Sequence, residues 1–240
     1  MGLVSFRASA EAWRSLVVAN ARGLPIDFLI AWVNYESGGN PAALGAITEV
    51  GIFQVDMQSG PQFGGDVNTL HRNFAPHASS TATRPLTAAE KLLQVTSGIA
   101  MVESYRKASR AKLSAVGADW PEGSSDFWCL VKMHHGLPAL PRDFLPAFKR
   151  AHGRAPATWD EWNRWMNSLS YAEARSISPV SAPYYFPDGA RGKGPRKAFG
   201  RFTHNAYESG KYGGVERLGG ALLSVGILLA LFVAFRYFGG

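Results

Sequence analysis

The sequence has one cysteine in 240 residues, Cys129, so no disulfide can close within the chain. It sits in the apolar run Phe127-Trp128-Cys129-Leu130-Val131 and reads as a packed, inert thiol, not a nucleophile. Strand signals are sparse and no internal repeat is present. No secretory leader is expected from the first residues. Ala19-Asn20-Ala21 mimics a cleavage site, but only Leu16-Val17-Val18-Ala19 precedes it, short of an apolar core of roughly 7–15 residues. An amphipathic first helix with Trp13, Leu16 and Val17 on one face is the better reading. A metal site is not expected either. His134 and His135 are adjacent, about 100° apart on a helix, and no Cys or carboxylate cluster completes a ligand set. No cofactor is implied.

What the chain does have is a globular balance of 46% apolar and 12% aromatic residues, and a net charge of +7. Seven of its basic residues lie between Gly189 and Arg217, against Glu208 and Glu216. That stretch is rich in Pro, Gly and Tyr, and 178–217 reads as a basic linker. Leu218 to Phe235 is eighteen residues without a charge, roughly 27 Å as a helix, flanked by Arg217, Arg236 and Tyr237. Residues 218–238 are therefore expected to form a single-pass transmembrane helix.

Residues 1–177 read as one mainly α domain. Pro25 starts a helix that Gly38-Gly39 stops. Thr87-Ala88-Ala89-Glu90 is a capping box for a long helix toward Lys112, with Leu92, Leu93, Ile99, Val102 and Tyr105 on its apolar face. Thr158 and Ser170 open two more. The Gly-, Ser- and Pro-rich stretch from Met57 to Pro85 reads as a functional loop.

Chemistry concentrates in Glu36-Ser37-Gly38-Gly39-Asn40-Pro41, followed after nine residues by Gly51-Ile52-Phe53-Gln54. Glu36 falls at the C-terminal end of an apolar helix containing Trp32, Val33 and Tyr35. Aromatic surroundings and the helix C-terminus both disfavour its charge, so a raised pKa, suited to a general acid, is expected. Gly51 permits close backbone approach, and Gln54 brings a donor and an acceptor to the same place.

These residues resemble the lytic transglycosylase (SLT) family of the lysozyme-like superfamily, whose first motif is E-S-x-x-N-P followed at this distance by G-L-M-Q. Glu36, Ser37, Asn40, Pro41, Gly51 and Gln54 match it. Thr96 to Val102 is similar to the family's N-I-x-x-G-x-x-Y-L helix, and Lys132-Met133-His134-His135-Gly136 stands where A-Y-N-A-G is usual. The resemblance covers about 25–148. Met133 replaces the expected tyrosine and His134 the expected asparagine, leaving His134 or His135 to supply the missing hydrogen bond.

The resemblance implies an α+β lysozyme-like domain, mainly α, that cleaves the β-1,4 bond between N-acetylmuramic acid and N-acetylglucosamine in peptidoglycan. Glu36 would be the catalytic acid/base, with Ser37, Asn40, Gly51, Gln54, His134 and His135 as substrate-binding residues. The product would be a 1,6-anhydro sugar, made without a second carboxylate. Asp56, just after Gly-x-x-Gln, also resembles a second carboxylate of goose-type lysozymes, which would make the enzyme a hydrolase; a turn residue is the plainer reading, and Glu49 is a weaker candidate. A non-catalytic glycan-binding module remains the competing class.

Basic residues crowd the N-terminal side of the apolar span, which by the positive-inside rule leaves the domain in the cytoplasm, away from a cell wall. A bacteriophage virion protein resolves this by carrying its enzyme to the wall from outside; a bacterial envelope enzyme is the runner-up. Peptidoglycan, a lipid membrane, and virion or envelope proteins are the expected partners. Nucleic acid is not, because the basic tail adjoins an apolar span and lipid suits it better.

Overall fold

The computed structural model describes residues 6–43, 49–56, 86–135, 138–182 and 206–214. Its elements, in order, are α1 (Ala8–Glu11), α2 (Arg14–Asn20), α3 (Ile26–Glu36), β1 (Glu49–Val50), β2 (Val55–Asp56), α4 (Ala88–Val116), α5 (Ser125–Met133), a π-helical turn Leu140–Phe144 running into α6 (Leu145–His152), α7 (Trp159–Ser168) and α8 (Tyr171–Ile177). The described chain is mainly helical, as the sequence leads one to expect.

At the centre is α3. Phe28, Leu29, Ile30, Ala31, Trp32 and Val33 are all fully buried, so this helix is enclosed on every side and not merely along a stripe. Each large side chain removed from water contributes roughly 1.5–3 kcal/mol before the entropy of ordering is counted. On one side α3 meets α1 and α2, where the single expected N-terminal helix is broken at Ala12-Trp13. The long α4 crosses α2, α5 and α6.

Local signals set the helix ends. Thr87 and Glu90 form the capping box at the start of α4, and Gly117 in the left-handed region (φ 71°) stops it after Val116. A second reciprocal box, Ser170 with Glu173, opens α8, and the Thr158 side chain caps α7. On α4, Ile99 and Val102 are buried as the pattern requires, but Leu92 is exposed and Leu93 packs with Val50 beside the hairpin.

The two strands form one antiparallel hairpin, Glu49 opposite Asp56 and Val50 opposite Val55. Its turn has Gly51 at φ 79° and Gln54 at φ 53°. For a non-glycine residue that conformation costs on the order of 1 kcal/mol or more, so surrounding contacts must hold it. Two tethers do so from the neighbouring helices: Trp32 Nε1 donates to the Phe53 carbonyl at 3.2 Å, and Ile52 N donates to Gln94 Oε1 at 3.0 Å.

The packed domain does not stop at Ile177. Ser178 is buried and its hydroxyl lies 2.6 Å from Asp143 Oδ2, and Ala182 is fully buried. Residues 206–214, which composition assigns to a linker, form a helical turn and a strap against α3 and α5. Ala206 and Ser209 are fully buried, Tyr35 donates to Glu208 at 2.9 Å, and Phe6 meets Tyr212 edge-on at 5.2 Å. Gly210 and Gly213 lie so close to Cys129 and Trp128 that neither position has room for a Cβ. The glycines that look like linker composition serve close packing here.

No helix among the described residues is long and apolar enough to cross a membrane. The expected transmembrane helix at 218–238 and the expected Met57–Pro85 loop lie outside the described residues.

Candidate active site

Glu36 is the last residue of α3, and the turn after it is shaped from both sides. Ser37 leaves helical geometry at φ −131°, and Gly38 and Gly39 follow at φ 62° and 81°. Gly39 abuts the Ser9 backbone, leaving no space for a side chain, and its carbonyl accepts from Trp13 Nε1 at 3.0 Å. The Ser37 hydroxyl lies 2.9 Å from the Ile52 carbonyl, which fixes the hairpin turn to the end of α3. Asn40 is exposed and accepts from Ala42 N at 2.9 Å, so it shapes the chain locally.

Two residues from the far end of α5 reach the Glu36 carboxylate. Lys132 forms an ion pair and hydrogen bond with Oε1, and His135 Nε2 lies 3.7 Å from Oε2. The ammonium of Lys132 sits 4.0 Å above the Trp32 ring, and the residue is 3% exposed. His135 packs on Trp32 and on Tyr105, with ring centroids 5.3 and 6.1 Å away. Glu36 keeps 18% of its side-chain surface open. It is the part of this cluster that solvent or a ligand can reach.

This arrangement overturns the raised pKa expected for Glu36. Burial does push its carboxyl upward and is the largest influence, but the charges of Lys132 and His135 and their hydrogen bonds together outweigh it. The carboxyl ends well below the usual carboxylate range. Burial also dominates at Lys132, drawing its ammonium below the ordinary lysine value despite the opposing charges of Glu36 and Glu49. In the resting site Glu36 is therefore ionised and paired. The local argument from aromatic neighbours and the helix end omitted a cation 96 residues away.

The other expected site residues divide into supporting and adjacent groups. Gly51 supports: a Cβ there would come within 2.9 Å of Gln94 Oε1, and Gln94 Nε2 also donates to the Pro41 carbonyl at 2.8 Å. Gln54 is buried, and its amide donates to the Gly51 and Ala43 carbonyls at 2.7 and 3.1 Å. Its donor nitrogen braces its own turn. Asp56 pairs with Glu49 in the hairpin ladder, a strand position and not a turn. Glu49 is the carboxylate whose charge acts on Lys132.

His134 stacks parallel to Tyr105, with centroids 6.1 Å apart, and its Nε2 is buried without a hydrogen-bond partner. Burial, helped by the charge of Lys112, lowers its pKa to about 4, so the ring is neutral at ordinary pH. It lies beside the cluster and packs; His135 is the histidine that faces the carboxylate. Gly136 lies outside the described residues.

Sequence reasoning missed two residues, Lys132 and Gln94. Each carries a signal: a lysine inside the apolar run Phe127 to Met133, and a glutamine on the buried side of α4 one turn before Gly98. No metal-ligand cluster of three or more His, Cys, Asp or Glu occurs among the described residues.

A scan against protein-family models, a search of curated proteins and a search of solved structures each find no match to the chain.

Proposed function

We propose that the chain is a peptidoglycan-cleaving enzyme of the lysozyme-like kind, with Glu36 as its acid/base. The observation that carries the reading is the placing of a partly open carboxylate at the end of a helix whose residues 28–33 are fully buried. A hairpin is fixed to that end through Ser37 and Trp32, and polar hydrogens from Lys132 and His135 converge on the carboxylate. Helix end and hairpin give a glycan strand a rigid wall to lie against, and a rigid wall is what positions a proton donor at a glycosidic oxygen.

In this reading Glu36 delivers a proton to the oxygen between N-acetylmuramic acid and N-acetylglucosamine. The carboxylate left behind takes a proton from the muramic C6 hydroxyl as that oxygen closes on C1. The product is a 1,6-anhydro end, and water is not consumed. The hydrolytic alternative needs a second carboxylate to hold water, for which Asp56 is the candidate and Glu49, whose charge acts on Lys132, the weaker one. The setting we favour is a phage virion that opens the wall for genome entry, with 218–238 as membrane anchor; a bacterial envelope enzyme is the alternative.

One observation favours a different class. A buried carboxylate already neutralised by a lysine is also what a purely structural ion pair looks like, and a non-catalytic glycan-binding module would carry one without penalty. Incubating the protein with purified peptidoglycan and weighing the products by mass spectrometry separates the readings. Anhydro ends support the transglycosylase and reducing ends the lysozyme. Retention on the wall with no soluble fragments at any pH supports the binding module.

A further inference from the structure

We infer that Lys132 is the positioning residue that stores the proton Glu36 delivers, so that ammonium and carboxylate work as one proton-holding pair. The inference rests on the reading of Glu36 as the acid/base and explains how an ionised carboxylate can serve it.

The geometry gives the pair few other partners. Lys132 is 3% exposed, and its Nζ lies over the face of Trp32 and against Glu36 Oε1. Among the described residues, the charged or titratable groups acting on the pair are His135 at Oε2, and Glu49, whose charge reaches Lys132 from the hairpin; Tyr105 and His134 pack beside His135. Glu36 is the more open of the two partners, at 18%, so a sugar reaches the carboxylate first and the ammonium only through it.

A buried ammonium–carboxylate pair and its neutral amine–carboxylic acid form differ only by the position of one proton. Water favours the charged form. A glycan strand lying over Glu36 excludes that water and disfavours the charges, so the proton moves from Nζ to the carboxyl. The steps balance. Nζ loses a proton to Glu36, and Glu36 gives it to the glycosidic oxygen as the C1–O bond breaks. The C6 hydroxyl then loses its proton to Glu36 as the new C1–O6 bond forms, and on product release the proton returns to Nζ. No outside acid, base or oxidant enters.

The test compares pH–rate profiles of the full chain on purified peptidoglycan for the wild type, Lys132→Arg and Lys132→Met. Arginine keeps the charge and the ion pair but cannot surrender a proton, so turnover falls by about 10²-fold or more at every pH. Methionine fills the site without charge. Glu36 is then protonated by burial alone, and the alkaline limb of the profile moves to lower pH by about 1–3 units while cleavage persists in mild acid. A lysine that only props the fold would be rescued by arginine, and methionine, by removing the charge that holds the Glu36 carboxyl down, would move the limb to higher pH; either result overturns the inference and leaves Glu36 as acid/base intact.

Folding of each variant is checked by its thermal transition. Should either variant fail to fold, the wild type is decided by carboxyl-carbon NMR of Glu36 with an uncleaved chitooligosaccharide. A shift toward the protonated carboxyl on binding supports the inference, and an unmoved carboxylate overturns it. A wild type that cleaves no peptidoglycan at any pH, with Glu36→Gln behaving identically, removes the acid/base reading and this inference with it.

Discussion

The hydroxyl of Ser37 stands between two carbonyl oxygens, 3.1 Å from that of Val33 and 2.9 Å from that of Ile52, and accepts the Gly39 N–H at 3.1 Å. One small side chain thus joins the last turn of α3, the glycine turn and the hairpin. Ser37→Ala removes all three contacts and is expected to cost about 1–2 kcal/mol, seen as a lower urea midpoint at unchanged m value. On the proposed reading of Glu36 as acid/base, cleavage should fall further than stability does, because the hairpin loses its register with Glu36. Wild-type rates in the destabilised variant would show that the hairpin does not contribute to the site.

Gly98 of α4 lies directly against the Phe53 ring, with no room for a Cβ. Gly98→Ala is expected to destabilise by about 1–3 kcal/mol by overpacking and to displace the hairpin turn. Trimming the opposing ring should relieve the strain, so the double variant Gly98→Ala, Phe53→Leu should melt above Gly98→Ala alone. Additive losses in the double variant would place the strain elsewhere.

Glu36→Gln leaves the buried Lys132 ammonium without its carboxylate. The expected loss at neutral pH is about 3 kcal/mol, and its pH dependence is diagnostic. In the wild type the Glu36 pKa is depressed in the folded state, so its stabilisation is full above the unfolded value near 4.5 and is lost as pH falls below it. Lys132 is also depressed, and more so once Glu36 is gone. The variant should therefore gain stability as pH rises toward the ordinary lysine value of 10.5 and its ammonium discharges. Denaturant titrations between about pH 2 and 10 read both limbs; a variant whose stability does not rise with pH above neutrality would mean that the Lys132 pKa is not depressed in its folded state.

How much of this was legible in the sequence depends on how far each contact reaches along the chain. The caps at Thr87 and Ser170 were readable because donor and acceptor are three residues apart. The apolar helix α3 and the glycine turn that stops it were readable within an equally short window. The Lys132–Glu36 pair was not, since periodicity carries no information about which two helix ends meet. Its omission reversed the expected charge state of the central residue. Gln54 was found by its motif, but its bracing of the hairpin turn was not, because the sequence does not announce a backbone at φ 53°. The strap at 206–214 was hidden by composition: glycine signals a flexible linker and an intimate contact alike.

His134 is the clearest candidate for a stabilising change. Its unpartnered Nε2 and a pKa lowered to about 4 mean that the folded state resists a proton which the unfolded chain accepts near 6.5. Stability should fall as pH drops from about 6.5 toward 4 and level off below. His134→Phe keeps the stacking on Tyr105 and removes the titrating group, so the difference between variant and wild type should grow in the variant's favour across that interval. Parallel pH curves for the two proteins would exclude His134 as their cause.

Cys129 reports on the strap. Burial raises its thiol pKa far above normal, and Gly210 packs on its backbone and sulfur. The wild-type thiol should be inert to a disulfide reagent under native conditions. Gly210→Ala forces the strap away, and labelling should become faster by about 10-fold or more, as it would for a local opening eased by 1–2 kcal/mol. Equal labelling rates would mean that the thiol is shielded by the helices alone.

The strap also governs reach. From Gly214, held against α5, to Leu218, where the uncharged run begins, there are four Cα–Cα steps, at most about 14 Å of extended chain. A bilayer gripping that run would keep the packed domain within about 14 Å of the lipid, leaving it little freedom to swing. On the proposed reading, an enzyme so tethered would trim only the glycan lying close to the lipid, its field of action set by where the anchor stands and not by diffusion.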